Sequence, residues 1–144
     1  MPVRFRIIPE RGLVVVRYSG FVAIDDTMDA TRAYVSHPDY VNGQKQLVDF
    51  TQITDYERDY VRFMQMQASK AGRLAKAGVQ SLVVYIAPTT IAQELSALFI
   101  KSWDQVDAVV PMVQHSEAEA LTLLGQPEAS VDLLLTPTDG PALP

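Results

Sequence analysis

The sequence predicts an α/β domain in which helices cover a mostly parallel sheet with an antiparallel hairpin at its N-terminal side. Three observations point there. Short apolar runs alternate with longer segments of helical spacing from residue 46 to residue 124. Two strand-like runs lie close together before residue 19, with turn residues between them. The later strand runs are apolar throughout rather than alternating, as strands buried on both faces are.

Val3–Ile8 places Arg4 and Arg6 on one face and Phe5 and Ile7 on the other, the period of a half-buried strand. Pro9-Glu10-Arg11-Gly12 is a turn, since proline presets φ and glycine tolerates the left-handed region. A second strand follows from Leu13 to Tyr18, and Ser19-Gly20 is expected to release the chain toward a helix over Asp25–Val35. His37-Pro38 disfavours further helix, and Asn42-Gly43 turns the chain into a strand at Gln46–Phe50.

The regular alternation then reads helix at about 55 to 77, strand at Ser81–Ile86, helix at about 91 to 106, strand at Val109–Val113 and helix at about 117 to 124, an order of ββαβαβαβα. Thr54-Asp55-Tyr56-Glu57, Thr90-Ile91-Ala92-Gln93 and Ser116-Glu117-Ala118-Glu119 each match the capping box, in which a hydroxyl and a later side chain satisfy orphan backbone donors. At helical spacing, Tyr60, Phe63, Met64, Ala71 and Leu74 share one side of the second helix. Arg58, Arg62, Arg73 and Lys76 cluster opposite, and Gly72 weakens its end. In the third helix Ile91, Leu95, Leu98, Phe99 and Val106 form the core stripe and leave Ile100 and Trp103 on its flank, where they are candidates for an apolar interface.

The domain is expected over residues 1–124. Residues 125–144 form a proline-rich tail around the apolar island Val131-Asp132-Leu133-Leu134-Leu135, which needs a surface of this domain or of a neighbouring chain to lie on.

The chain has no cysteine and two histidines, His37 and His115, which removes thiolate chemistry and makes a multi-histidine metal site a poor expectation; no cofactor and no metal are expected. Net charge is −5 with both signs mixed, so a nucleic-acid partner is not expected. There is no signal-peptide plan at the N-terminus and no apolar run near the ~20 residues that span a bilayer, so no membrane span and a cytoplasmic location are expected.

In open α/β sheets, sites lie beyond the carboxyl ends of the strands. That edge should carry Asp49, Thr51, Gln52, Thr54 and Asp55, then Pro88, Thr89 and Thr90, then Gln114, His115 and Ser116. Asp49, His115 and a threonine could be drawn as a hydrolytic set, yet no nucleophile elbow, oriented base or oxyanion donor is signalled. No glycine-rich phosphate loop separates strand from helix. No catalytic residue is therefore assigned; Asp49, Thr51, Thr54 and Asp55 are interaction or switch candidates.

Tyr18-Ser19-Gly20, His37-Pro38-Asp39-Tyr40, Leu47-Val48-Asp49-Phe50 and the Thr54-Asp55 helix start resemble the SpoIIAA-like (STAS-like) superfamily, in particular its branch of small stand-alone bacterial proteins of unassigned role. The resemblance covers about Val3 to Leu124. It implies the fold just described and a non-enzymatic regulatory or protein-interaction module. The superfamily's anti-sigma-factor antagonists present a phosphorylatable serine in an Asp-Ser-Ser-Gly-type motif after this strand. Here Thr54-Asp55-Tyr56-Glu57 stands instead, leaving Thr54 as the hydroxyl nearest that position. The expectations are a protein partner or a homodimer, with a carrier of a small apolar ligand as the alternative and a hydrolase using His115 as the third reading.

Overall fold

The structure is a computed structural model and describes residues 2–74, 80–103, 106 and 108–136. Five strands, β1 (Val3–Ile8), β2 (Leu13–Val22), β3 (Lys45–Tyr56), β4 (Ser81–Ile86) and β5 (Val109–Gln114), form one sheet in the order β1-β2-β3-β4-β5. β1 and β2 pair antiparallel and the other neighbours pair parallel, giving the α/β mixed sheet with an N-terminal hairpin. A 3₁₀ turn at Pro9–Arg11 joins the hairpin, closed by Gly12 at φ 59°.

Helices α1 (Ile24–Val35), α2 (Tyr60–Leu74) and α3 (Thr90–Ser102) make the crossovers, and all three cover the same face of the sheet. Their shared core is aromatic: Phe50 stacks on Tyr85, and Phe99 packs against Phe50, Tyr85 and Phe63. The opposite face, built from Leu13, Val15, Leu47, Val84 and Ile86, is covered by α4 (Glu117–Leu123) and α5 (Val131–Leu135). The strand order therefore never reverses, and the sheet has no switch-point crevice of the kind that seats ligands in doubly wound folds.

Several elements differ from the sequence reading. Ser19-Gly20 does not end β2: Gly20, at φ 69°, sits at a register shift between β2 and β3, so the glycine serves a bulge and the strand continues to Val22. β3 likewise runs past Phe50 to Tyr56, which places Thr54 and Asp55 in a strand instead of at a helix start. The cap of α2 is Asp59, whose Oδ1 accepts the Arg62 N–H at 3.1 Å. Glu57 of the supposed box instead accepts the Ile24 N–H at 3.0 Å and so caps α1.

The second box is displaced by one residue. Thr89 accepts the Ala92 N–H, while Gln93 donates to the Ala87 carbonyl. Ser116 is a true cap, accepting from the Glu119 N–H and donating to its carboxylate.

The inward stripe of α2 is Phe63, Met66, Gln67 and Lys70; Phe63 is inward as expected, whereas Tyr60 and Met64 are exposed. The expected roles of the Ala71, Gly72, Arg73 and Leu74 side chains, and of Lys76, fall outside the described residues. α3 ends at Ser102 with Trp103 as its C-cap, short of the expected 106.

The chain beyond Gly125 packs on the sheet as far as Thr136. Ser130 caps α5 by accepting the Leu133 N–H, and Val131 and Leu134 are buried against the second face. Three arginines of the hairpin hold it: Arg6 donates to the Leu135 carbonyl, Arg11 forks onto Glu128, and Arg17 pairs with Asp132.

Candidate functional site

The ladder between β3 and β4 ends at Asp49↔Ile86, whereas the ladder between β2 and β3 continues to Val22↔Tyr56. From Phe50 onward β3 has a strand on one side only, and β2 and β3 project as a two-stranded ribbon beyond the sheet. Its inner face is apolar and buried, through Val22, Ile53 and Tyr56. Its outer positions are open: Phe21 is 52% exposed, and Gln52 and Thr54 are exposed.

Asp49 stands at the ribbon's root and is 3% exposed. Between Arg17↔Asp49 and Ser19↔Gln52, β3 advances one residue more than β2, which takes the Thr51 N–H out of the ladder. The Asp49 Oδ1 accepts that N–H at 2.9 Å and the Thr51 hydroxyl as well, while its Oδ2 accepts from Arg17 Nε at 3.3 Å. Asp49 is thus the carboxylate that completes a bulge, and Thr51, partly buried, spends its hydroxyl on it.

Asp55 lies further along, partly exposed. It accepts from Arg58 at 2.6 Å and from the Tyr56 N–H, and the Arg58 hydrogen bond, reinforced by that N–H, holds its carboxyl below the usual range. Arg58 stacks 4.3 Å above the Tyr56 ring, and the Tyr56 hydroxyl bonds to Glu94 of α3. Arg62 joins Asp25 and Glu57. The charges around the ribbon are therefore already paired with one another, and the uncommitted side chains are Phe21, Gln52 and Thr54.

The other expected sites are dispersed. Asp49 faces α4 and α5, whereas exposed His115 borders an open groove with Gln93, Ser96 and Ile100 of α3 on the opposite face, two strands away. Trp103 is 3% exposed and donates its indole N–H to the Tyr85 hydroxyl at 3.0 Å, so it belongs to the core; Ile100, partly buried, reaches the groove beside Ala97 and Val113. Among the described residues no group of three histidine, aspartate or glutamate side chains could hold a metal ion. No described helix is long and apolar enough to cross a membrane.

Sequence reasoning missed Arg17 and Phe21 and placed Arg58 on the basic side of α2, whereas it precedes that helix and pairs with Asp55. The sign for Arg17 was its two-residue spacing from Leu13 and Val15, which puts an arginine on a buried face. Phe21 carries no sign in the sequence, because Ser19-Gly20 before it reads as the end of a strand. No protein-family model matches the chain, and no curated protein matches it with significant similarity.

Proposed function

We propose that this chain is a non-enzymatic interaction module of STAS-like type, working in the cytoplasm, that binds an extended segment of a protein partner along the ribbon formed by β2 and β3. The observation that carries this reading is that β3 stays extended for seven residues beyond its last pairing with β4, with a phenylalanine exposed beside it. A strand with one free edge offers backbone groups to an incoming strand, and neighbouring side chains give selectivity. Because Arg58 is paired with Asp55 and Glu94, and Arg62 with Asp25 and Glu57, recognition falls to the backbone edge, Phe21, Gln52 and Thr54.

Thr54 is the hydroxyl available for a switch, since Thr51 is occupied by Asp49. A phosphate on Thr54 would stand one residue from Asp55, and the like charge would compete for Arg58.

The test compares proteins captured from host cytosol by the unaltered chain and by Phe21→Glu/Thr54→Lys, with circular dichroism confirming that the variant is folded. A partner held by the former and lost by the latter supports the ribbon. Equal retention by the folded variant overturns it.

A further inference from the structure

A second feature lies on the helical face, away from the ribbon. Under α1 and α2 is a small cavity of about 40 Å³, walled mainly by Tyr18, Val48, Tyr85, Phe99 and Trp103, with Lys70 entering from α2. The Lys70 ammonium lies 4.9 Å from the centroid of the Phe99 ring and 5.8 Å from that of Trp103. Lys70 has no carboxylate partner and no hydrogen-bond acceptor among the described residues, in contrast to Arg11, Arg17, Arg32, Arg58 and Arg62, each of which has a carboxylate.

An independent observation comes from Tyr85, which is 2% exposed. Its hydroxyl oxygen accepts the Trp103 indole N–H, and its own proton has no acceptor among the described residues. The cavity is thus bordered by a partly exposed ammonium and a buried phenol O–H that both lack an acceptor among the described residues, between largely apolar and aromatic walls into which Gln46, Thr27 and Thr31 also reach. A buried phenol O–H is costly until something accepts from it, and the lysine beside it supplies positive charge at the cavity's edge.

We propose that this cavity binds a short-chain carboxylate, of the size of acetate or propionate, with the Lys70 ammonium pairing with the carboxylate, the Tyr85 O–H donating to it, and the alkyl end against Phe99 and Trp103. Size sets the class. At roughly 10–15 Å³ for each water-sized position, about 40 Å³ holds about three, which suits a molecule of four or five heavy atoms and excludes a lipid chain. Charge sets the rest, since Lys70 and Tyr85 are both donors and no described carboxylate lines the cavity.

Entry is available beside the lysine. A shallower notch of about 20 Å³ between α1 and α2, lined by Met28, Arg32, Met66 and Ser69, shares Thr31 and Lys70 with the cavity, so the Lys70 stem is the partition between the two. Burial alone pushes the Lys70 ammonium down to about 8, and a paired carboxylate reverses that shift.

The experiment titrates the full chain, followed by ¹H–¹⁵N correlation spectra, with sodium acetate and sodium propionate against sodium chloride and 1-propanol at matched ionic strength. The expected result is saturable shifts confined to the residues around the cavity on β2, β4, α1, α2 and the C-terminal end of α3 for the carboxylates alone, with the affinity lost in Lys70→Met and reduced about tenfold in Tyr85→Phe. Contacts between the propionate methyl and the Phe99 or Trp103 ring protons in the unaltered chain test the site without any substitution. No saturable shift, equal binding by Lys70→Met, or 1-propanol binding as tightly as propionate overturns the assignment.

Discussion

A carboxylate buried at the end of a central strand reads from sequence as chemistry, yet Asp49 is consumed by its own backbone. It fills the bulge at Thr51 and neutralises Arg17, so Asp49→Ala leaves an amide and a guanidinium short of acceptors. We expect a loss of about 2–3 kcal/mol in urea unfolding, with Arg17 still held by Asp132. Lys70 has the opposite character, being a charge that meets two aromatic rings and no carboxylate among the described residues. Its ammonium is pushed down to about 8 by burial, against 10.5 for the free side chain. Between about pH 8 and 10 the unfolded chain therefore holds the extra proton, and stability should climb with pH. Above about pH 10 the slope should reverse, because burial pushes Tyr18 up to about 12 and Tyr34 and Tyr85 higher still, so the folded chain keeps protons that the unfolded chain releases. Urea midpoints across this range check both limbs, and Lys70→Met should flatten the first.

Among the elements, α5 is the one whose worth is easiest to measure. It has five residues, and two of them, Val131 and Leu134, are buried on the second face of the sheet. At about 1.5–3 kcal/mol for each buried aliphatic side chain, removing residues 126–144 should cost about 3–6 kcal/mol and uncover Leu13, Leu47 and Val84. Hydrogen exchange should then accelerate in β2 and β3 first. The strands and helices of the alternating part were legible in the sequence because each has a clear apolar period. The ends of β2 and β3 were not, because Gly20 is a stop signal in isolation and a bulge when a partner strand continues beside it. The inward stripe of α2 was misread for a related reason: two of its four positions are Gln67 and Lys70, and a polar residue facing a core leaves no mark in a hydrophobic pattern.

For the whole molecule, the sequential strand order puts three crossover helices on one side and leaves two outer strands, β1 and β5. β5 carries the exposed side chains Val110, Met112 and Val113, and a bare edge of that kind invites pairing with another copy. The Ser81 N–H bonds to the Ala108 carbonyl and the Ala87 N–H to the Gln114 carbonyl, which turns the backbone donors of even-numbered β5 residues toward β4 and those of odd-numbered ones outward. Pro111, at an outward position, removes the donor at the middle of that edge. Pro111→Val should restore it, and sedimentation velocity should show concentration-dependent association that the unaltered chain lacks. The candidate site was legible only in that Thr51, Thr54 and Asp55 fall on one segment, which is the end of β3 and not the expected helix start. Its character was hidden, because which groups are free depends on Arg17 and Arg58 closing on their carboxylates across the fold.

The clasp between the first hairpin and α5 also bears on how the protein is made. Arg6 and Leu135 are 129 residues apart, so the second face of β1 and β2 has no cover while the chain between them is being translated, roughly ten seconds at about 5–20 residues per second. During that interval Leu13 and Val15 are open to chaperones and to other nascent chains. Premature termination before α5 should therefore yield products cleared by proteolysis in the cell, even though every strand of the sheet is already present.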